Sequence, residues 1–182
     1  MNRKIGFLAA ALAVTAVSFP AVAAAQSHGG HGTGHGMASG QPGQPGQPGE
    51  VKRTIDIAIG DNYFEPENIE VKPGETVRFR IENRGAFVHE FNIGTPALHA
   101  EHQKEMQMMV DHGVLMPDRI NHQAMQGGGH GMNHDIPNSI LLEPGKTGEI
   151  IWRFGSGGEP EIACNVPGHY DSGMSIRVMM GH

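Results

Sequence analysis

The sequence predicts an all-β domain, a Greek-key β-sandwich or barrel carrying one helical and loop insertion. Three observations carry that prediction. Roughly seven or eight short segments alternate apolar with polar residues. Pro-Gly pairs punctuate them. Only residues 95–137 break the pattern, with a helical period followed by polar, glycine-rich sequence.

The first 25 residues read as a secretory signal peptide and are set aside from the fold. Arg3 and Lys4 precede an apolar run, "IGFLAAALAVTAV", and "AVAAA" offers small residues for cleavage after Ala25. The run is short for a membrane span. This leader implies export to the periplasm of a bacterium. Residues 26–50, "HGGHGTGHGM" followed by "GQPGQPGQPG", are expected to form a disordered His/Gly/Pro-rich tether. Such composition buries too little apolar surface to offset the entropy of ordering. His28, His31, His35 and Met37 are candidate loose metal ligands within it, against the alternative of a solvated tail.

The folded domain is expected to span 51–182. "RTIDIAI" alternates as a half-buried strand. Ile69 and Val71 alternate with Glu70 and Lys72, Pro73-Gly74 turns the chain, and Val77, Phe79 and Ile81 alternate with Arg78, Arg80 and Glu82. This pattern predicts a hairpin. "AFVHEFNI" is a further strand, "NSILLEPGKTGEIIWRF" is strand, Pro-Gly turn, strand, and "EIACNV" and "MSIRVMM" are the last two. Within the insertion, "TPALHAEHQKEMQMMVDHG" is punctuated as a helix. Thr95 suits the cap, Pro96 the first turn and Gly113 the stop. The following "VLMPDRINHQAMQGGGHGMNHDIP" reads as irregular loop.

The formal net charge is −6, and loss of Arg3 and Lys4 with the leader would make it −8. This balance disfavours nucleic acid and, once the leader is gone, membrane as partners, and it suits a handler of cations. Cys164 is the single cysteine, so no intramolecular disulfide exists. In an oxidising compartment such a thiol needs burial, a partner or a metal.

"CNVPGHYDSGM" supplies a metal answer. A thiolate and two imidazoles in a plane, with a weak axial thioether, hold copper in a form suited to electron transfer. Cys164, His169 and Met174 offer three of those ligands on one loop between strands, with Pro167-Gly168 as its turn. His89, in an ordered apolar strand, is the candidate fourth. A binuclear copper site needs a second cysteine, and zinc rarely accepts methionine. The alternatives are structural: a buried small thiol, a core methionine and a satisfied strand histidine.

The sequence here resembles the cupredoxin family over about 51–94 and 137–180. The resemblance rests on "YFEPENIEVKPGETVRFRIEN", on "HEF" and on the ending C-x4-H-x4-M. It implies a cupredoxin-like fold and a type 1 (blue) copper site whose ligands fall on His89, Cys164, His169 and Met174. Many members place asparagine after the first histidine, where it ties the ligand loops together. Here that residue is Glu90.

The insertion adds an excess of soft and imidazole ligands. His99, His102, Met106 and Met109 share one helical face, and His130, Met132 and His134 follow in the loop. They are expected to be auxiliary copper sites, against the alternative that the helical stripe packs on the barrel. The layout is similar to that of periplasmic copper-tolerance cupredoxins. The expected function is therefore copper tolerance by binding copper, with oxidation of cuprous ion left open. The alternative is a soluble electron carrier with a transient redox partner.

Overall fold

A computed structural model describes residues 42–127 and 136–181. The expected signal peptide and most of the expected tether lie outside the described residues, as do His130, Met132 and His134. Among the described residues, no helix is long and apolar enough to cross a membrane.

Among the described residues, ten strands form two five-stranded sheets. They are β1 (Gly43–Pro45), β2 (Arg53–Gly60), β3 (Tyr63–Glu65), β4 (Asn68–Val71), β5 (Thr76–Asn83), β6 (His89–Gly94), β7 (Ser139–Leu142), β8 (Thr147–Phe154), β9 (Glu161–Ala163) and β10 (Ser175–Met180). One sheet runs β1-β8-β5-β2-β3, and the other runs β4-β10-β9-β6-β7. The β2–β5 and β4–β10 pairs are parallel and the rest antiparallel. The inward-facing rows meet in one core. Phe91 of the second sheet sits 5.2 Å from Phe79 and 6.4 Å, edge-on, from Phe64, both in the first.

The expected hairpin across Pro73-Gly74 does not form. β4 pairs with β10 and β5 pairs with β2 and β8, so the turn carries the chain from one sheet to the other. Alternation marks which face of a strand is buried, and both strands bury one face in the same core from opposite sides. The turn at Pro144-Gly145 likewise joins β7 and β8 of different sheets.

Order also begins earlier than Val51. Gly43–Pro45 pairs with β8 at Phe154, Arg153 and Trp152, and Pro48–Glu50 forms a short 3-10 turn. The Gly/Pro repeat reads as tether because it lacks apolar residues to bury. Its glycine is what admits it to the sheet: a Cβ at Gly43 would lie 2.2 Å from the Arg153 carbonyl oxygen and 2.6 Å from the Trp152 indole nitrogen. Proline, without an amide hydrogen, is tolerated because β1 is an edge strand.

Helix α1 (Pro96–Asp111) forms as expected. Thr95 adopts extended backbone and its hydroxyl accepts from the Leu98 amide at 3.4 Å. The following segment is less irregular than its sequence implies. Leu115 and Ile120 form a bridge, and α2 (His122–Gly127) adds a short helix.

All six residues of β6 are buried, and strand alternation explains how. Phe91 and Ile93 enter the sandwich core. Glu90 and Asn92 point to the opposite face, where α1 lies. Met106 and Met109 of α1 close a second cluster with Val88, Val114 and Leu115. The insertion thus gives the second sheet an outer cover.

Candidate metal centre

β6 begins with His89, and β9 is followed directly by Cys164. Their pairing through Asn92–Ala163 brings the two ends together. Cys164 continues the inward row of Ile162, so its thiol faces the core and is fully buried.

The loop that follows folds on itself. The His169 amide donates to the Val166 carbonyl at 2.9 Å, and the Met174 amide to the His169 carbonyl at 3.1 Å. The Cys164 amide donates to the Met174 carbonyl at 3.2 Å, closing the loop base and bringing the two sulfur residues together. Met174 is fully buried in the same core cluster as Cys164. The loop base thus places Met174 beside Cys164, next to the strand that carries His89.

Three donor atoms converge. Cys164 Sγ lies 3.3 Å from His169 Nδ1 and 3.9 Å from His89 Nδ1, and one donor from each residue lies within 4.8 Å of the others. A trigonal ion with sulfur and nitrogen bonds of about 2.0–2.3 Å would separate such donors by roughly 3.5–3.8 Å. The two sulfur–nitrogen separations bracket that range, so small side-chain shifts would bring the donors to it. The donor set, one soft sulfur and two imidazoles, suits an ion that changes valence.

Burial acts oppositely on the two kinds of donor, favouring neutral imidazoles and disfavouring the thiolate. Burial pushes the Cys164 thiol up to about 12, a rise that the Glu90 amide, donating to Sγ at 3.3 Å, partly offsets. Burial holds the His89 and His169 imidazoles below their ordinary value. Both rings are neutral near pH 7 and offer lone pairs. His89 is fully buried, whereas His169 is half-buried and forms the outer edge of the cluster.

Asp61 joins the candidate site without any signal in the sequence. Its carboxylate lies 3.2 Å from His89 Nε2 and accepts the amides of Ala86 and Phe87 at 2.7 and 3.3 Å. The carboxylate only accepts, so Nε2 carries the hydrogen and Nδ1 is left to face the sulfur. Gly85 leaves room for this contact: a Cβ there would stand 2.2 Å from Asp61 Oδ1 and 2.9 Å from His89 Nε2.

Glu90 takes over the tie expected of asparagine. Its fully buried carboxylate accepts from the Asn165 amide at 3.1 Å and the Asn165 side chain at 2.8 Å, through Oε2. Oε1 accepts from Asn92 at 3.2 Å, from His102 Nε2 at 2.8 Å and from the Ser139 hydroxyl at 2.5 Å. The residue after one candidate ligand thereby holds the residue after another.

The helical stripe expected to bind auxiliary copper faces inward and is already engaged. His99, His102, Met106 and Met109 are the buried residues of α1. His99 Nε2 faces the Glu161 carbonyl at 3.3 Å, and its Nδ1 accepts from Asn165 at 3.2 Å. His102 is held between Glu90 and Glu105. The two methionines pack as core. A three- and four-residue period marks one face of a helix without saying what that face meets.

A two-sheet Greek-key sandwich closed at one end by a Cys/His/His cluster is cupredoxin architecture, and the comparisons agree. A cupredoxin-like domain model matches residues 36–101. The chain is 46% identical over 176 residues to the copper-resistant cuproprotein CopI of Pseudomonas aeruginosa, with 92% of each chain covered. It is 33% identical to CopI of Rubrivivax gelatinosus, covering 97% of this chain and 99% of that one. Among solved structures, auracyanin B matches with a TM-score of 0.56 at 18% identity, over 79% of this chain and 97% of its own. The dithionite-reduced auracyanin of Roseiflexus castenholzii gives 0.52 at 20% identity, over 72% and 99%. These two likenesses show the fold. The chain belongs to the CopI family of cuproproteins.

Proposed function

We propose that this chain is a periplasmic type 1 copper protein of copper tolerance. His89, Cys164, His169 and Met174 would hold the ion. The observation that carries the reading is the convergence of Sγ and two imidazole Nδ1 atoms around a buried thiol. Such a donor set would let a bound copper ion change valence with little rearrangement. The chain's residues supply the rest. Cys164 gives up its proton to become a ligand, Asp61 fixes the His89 tautomer, and the buried His89, Cys164 and Met174 keep water from the inner side.

Tolerance is supported by the names of both CopI relatives, which describe copper-resistant cuproproteins. The leader-like first 25 residues support the periplasm. Auxiliary binding is assigned to His130, Met132, His134 and the tail histidines, because α1 spends its own stripe on packing and buried hydrogen bonds.

An electron-carrier role would need an open, flat apolar surface at His169. An apolar cleft of about 300 Å³ opens beside His169, lined by residues such as Phe87, Val110, Met116 and Pro167. Val110 and Met116 belong to the insertion, so the surface is a walled cleft rather than the flat patch a transient docking partner needs. This shape favours tolerance.

Metal analysis after dialysis, read beside the thiolate-to-copper absorption, tests the proposal. The expected result is one coloured copper per chain and further colourless copper. Deleting 128–135 should lower the total and leave the colour. A single copper per chain, unchanged by that deletion, would remove the sequestration reading. Growth on copper without the gene tests tolerance itself.

A further inference from the structure

The inserted helix touches the residues beside two of the candidate ligands. Glu90 follows His89, and Asn165 follows Cys164. His102 donates to Glu90 and His99 accepts from Asn165, one helical turn apart on the buried face of α1. Glu90 and Asn165 are also bonded to each other twice. The backbone amide of Glu90 then donates to the Cys164 sulfur. A continuous chain of contacts therefore runs from α1 to Sγ.

We propose that α1 is a clamp, in which His99 and His102 are positioning residues that fix the Cys164 loop against β6 through Asn165 and Glu90. Three features support it. Every member of the chain is buried, so water does not substitute for a lost partner. Both ring nitrogens of His102 face carboxylates, Glu90 at 2.8 Å and Glu105 at 2.9 Å, which sets the ring's rotation. Thr95 and Pro96 fix where the helix starts, directly after β6, so the register of the two histidines over Glu90 is determined by the chain itself. The insertion thus complements the glutamate that stands where many cupredoxins carry asparagine: the longer side chain reaches Asn165 with one oxygen and leaves the other to be held by α1.

The part concerning the sulfur's electronic environment rests on the copper reading above, and the experiment separates the two. Amide hydrogen exchange is measured on the metal-free full chain for the wild type, His102→Ala, His102→Gln and Met109→Ala. Met109→Ala loosens the same helix without touching Glu90. The clamp predicts that the Asn165 and Glu90 amides exchange about tenfold or more faster in His102→Ala than in Met109→Ala. Glutamine, which retains a donor, should restore part of the protection. In the copper-loaded protein, His102→Ala should shift the thiolate-to-copper band, whereas Met109→Ala should not. Equal exchange in the two alanine variants would overturn the clamp. Faster exchange with an unmoved band would overturn its reach to the sulfur. A wild type with no such band would overturn the copper reading, leaving the exchange result to decide the clamp.

Discussion

Asp61 accepts the Nε2 hydrogen of His89 across 3.2 Å, and His89 Nδ1 is thereby aimed at the Cys164 sulfur. Removing this partner should free the tautomer. In Asp61→Ala, the nitrogen chemical shifts of His89 in the metal-free protein are expected to report a mixture of Nδ1–H and Nε2–H forms. Copper affinity should fall about 10- to 100-fold, the usual cost of losing a partner to a metal-bound histidine. An unchanged nitrogen spectrum would show that the ring is oriented by packing alone.

The stability of the metal-free protein is expected to peak near pH 6.5. Burial holds His89, His99 and His169 below 6.5, so their contribution is present above that value and lost as pH falls through the folded-state values. His102 has the opposite sign. Burial alone would lower it, but the Glu90 hydrogen bond and charge, then those of Glu105, raise it to about 9. Its contribution is complete below 6.5 and is lost as pH rises through 9. The slope approaches about 1.4 kcal/mol per pH unit inside that window. Urea titrations across pH 5–10 check the shape, and His102→Gln should flatten the alkaline side.

Cys164 is expected to be inert until metal or denaturant reaches it. A thiol raised to about 12 holds almost no thiolate at pH 7, and its full burial blocks reagents. Alkylation of the metal-free native protein should be slower than that of the urea-unfolded chain by about 100-fold or more. Copper uptake should release close to one proton from this thiol. Cys164→Ser should lose the blue absorption and keep the far-ultraviolet signature of the sandwich.

Phe91→Ala should cost about 3–5 kcal/mol in denaturant unfolding. The ring is fully buried, contacts Phe64 and Phe79, and links the two sheets. Met108→Ala, at an exposed position on α1, should stay within about 0.5 kcal/mol of the wild type. A small loss at Phe91 would mean the sheets are held mainly by their rims.

The strands of the sandwich were legible because alternation follows from the two-residue period of an extended chain. The Ile55–Ile57–Ile59 and Val77–Phe79–Ile81 rows needed no tertiary information. Partners were not legible. Alternation at Ile69 and Val71 fits either sheet, so only the packed structure shows that β4 joins β10 rather than β5. Gly43–Pro45 escaped notice because its contribution is an absence of bulk beside Trp152.

At the candidate site, Cys164, His169 and Met174 were readable because one loop offers a thiol, an imidazole and a thioether within a few residues. His89 was readable because an imidazole in an apolar strand needs a reason. Asp61 was invisible: it reaches His89 through a turn 28 residues away, and sequence carries no signal for such a contact. The helical stripe was half legible. Its period set out one face of α1, and the buried acceptors beneath it, Glu90 above all, made that face a support for the ligand loop. Residue type and spacing determine what an atom can bind, because that is local chemistry. What it does bind is decided by which distant backbone the fold brings within hydrogen-bond reach.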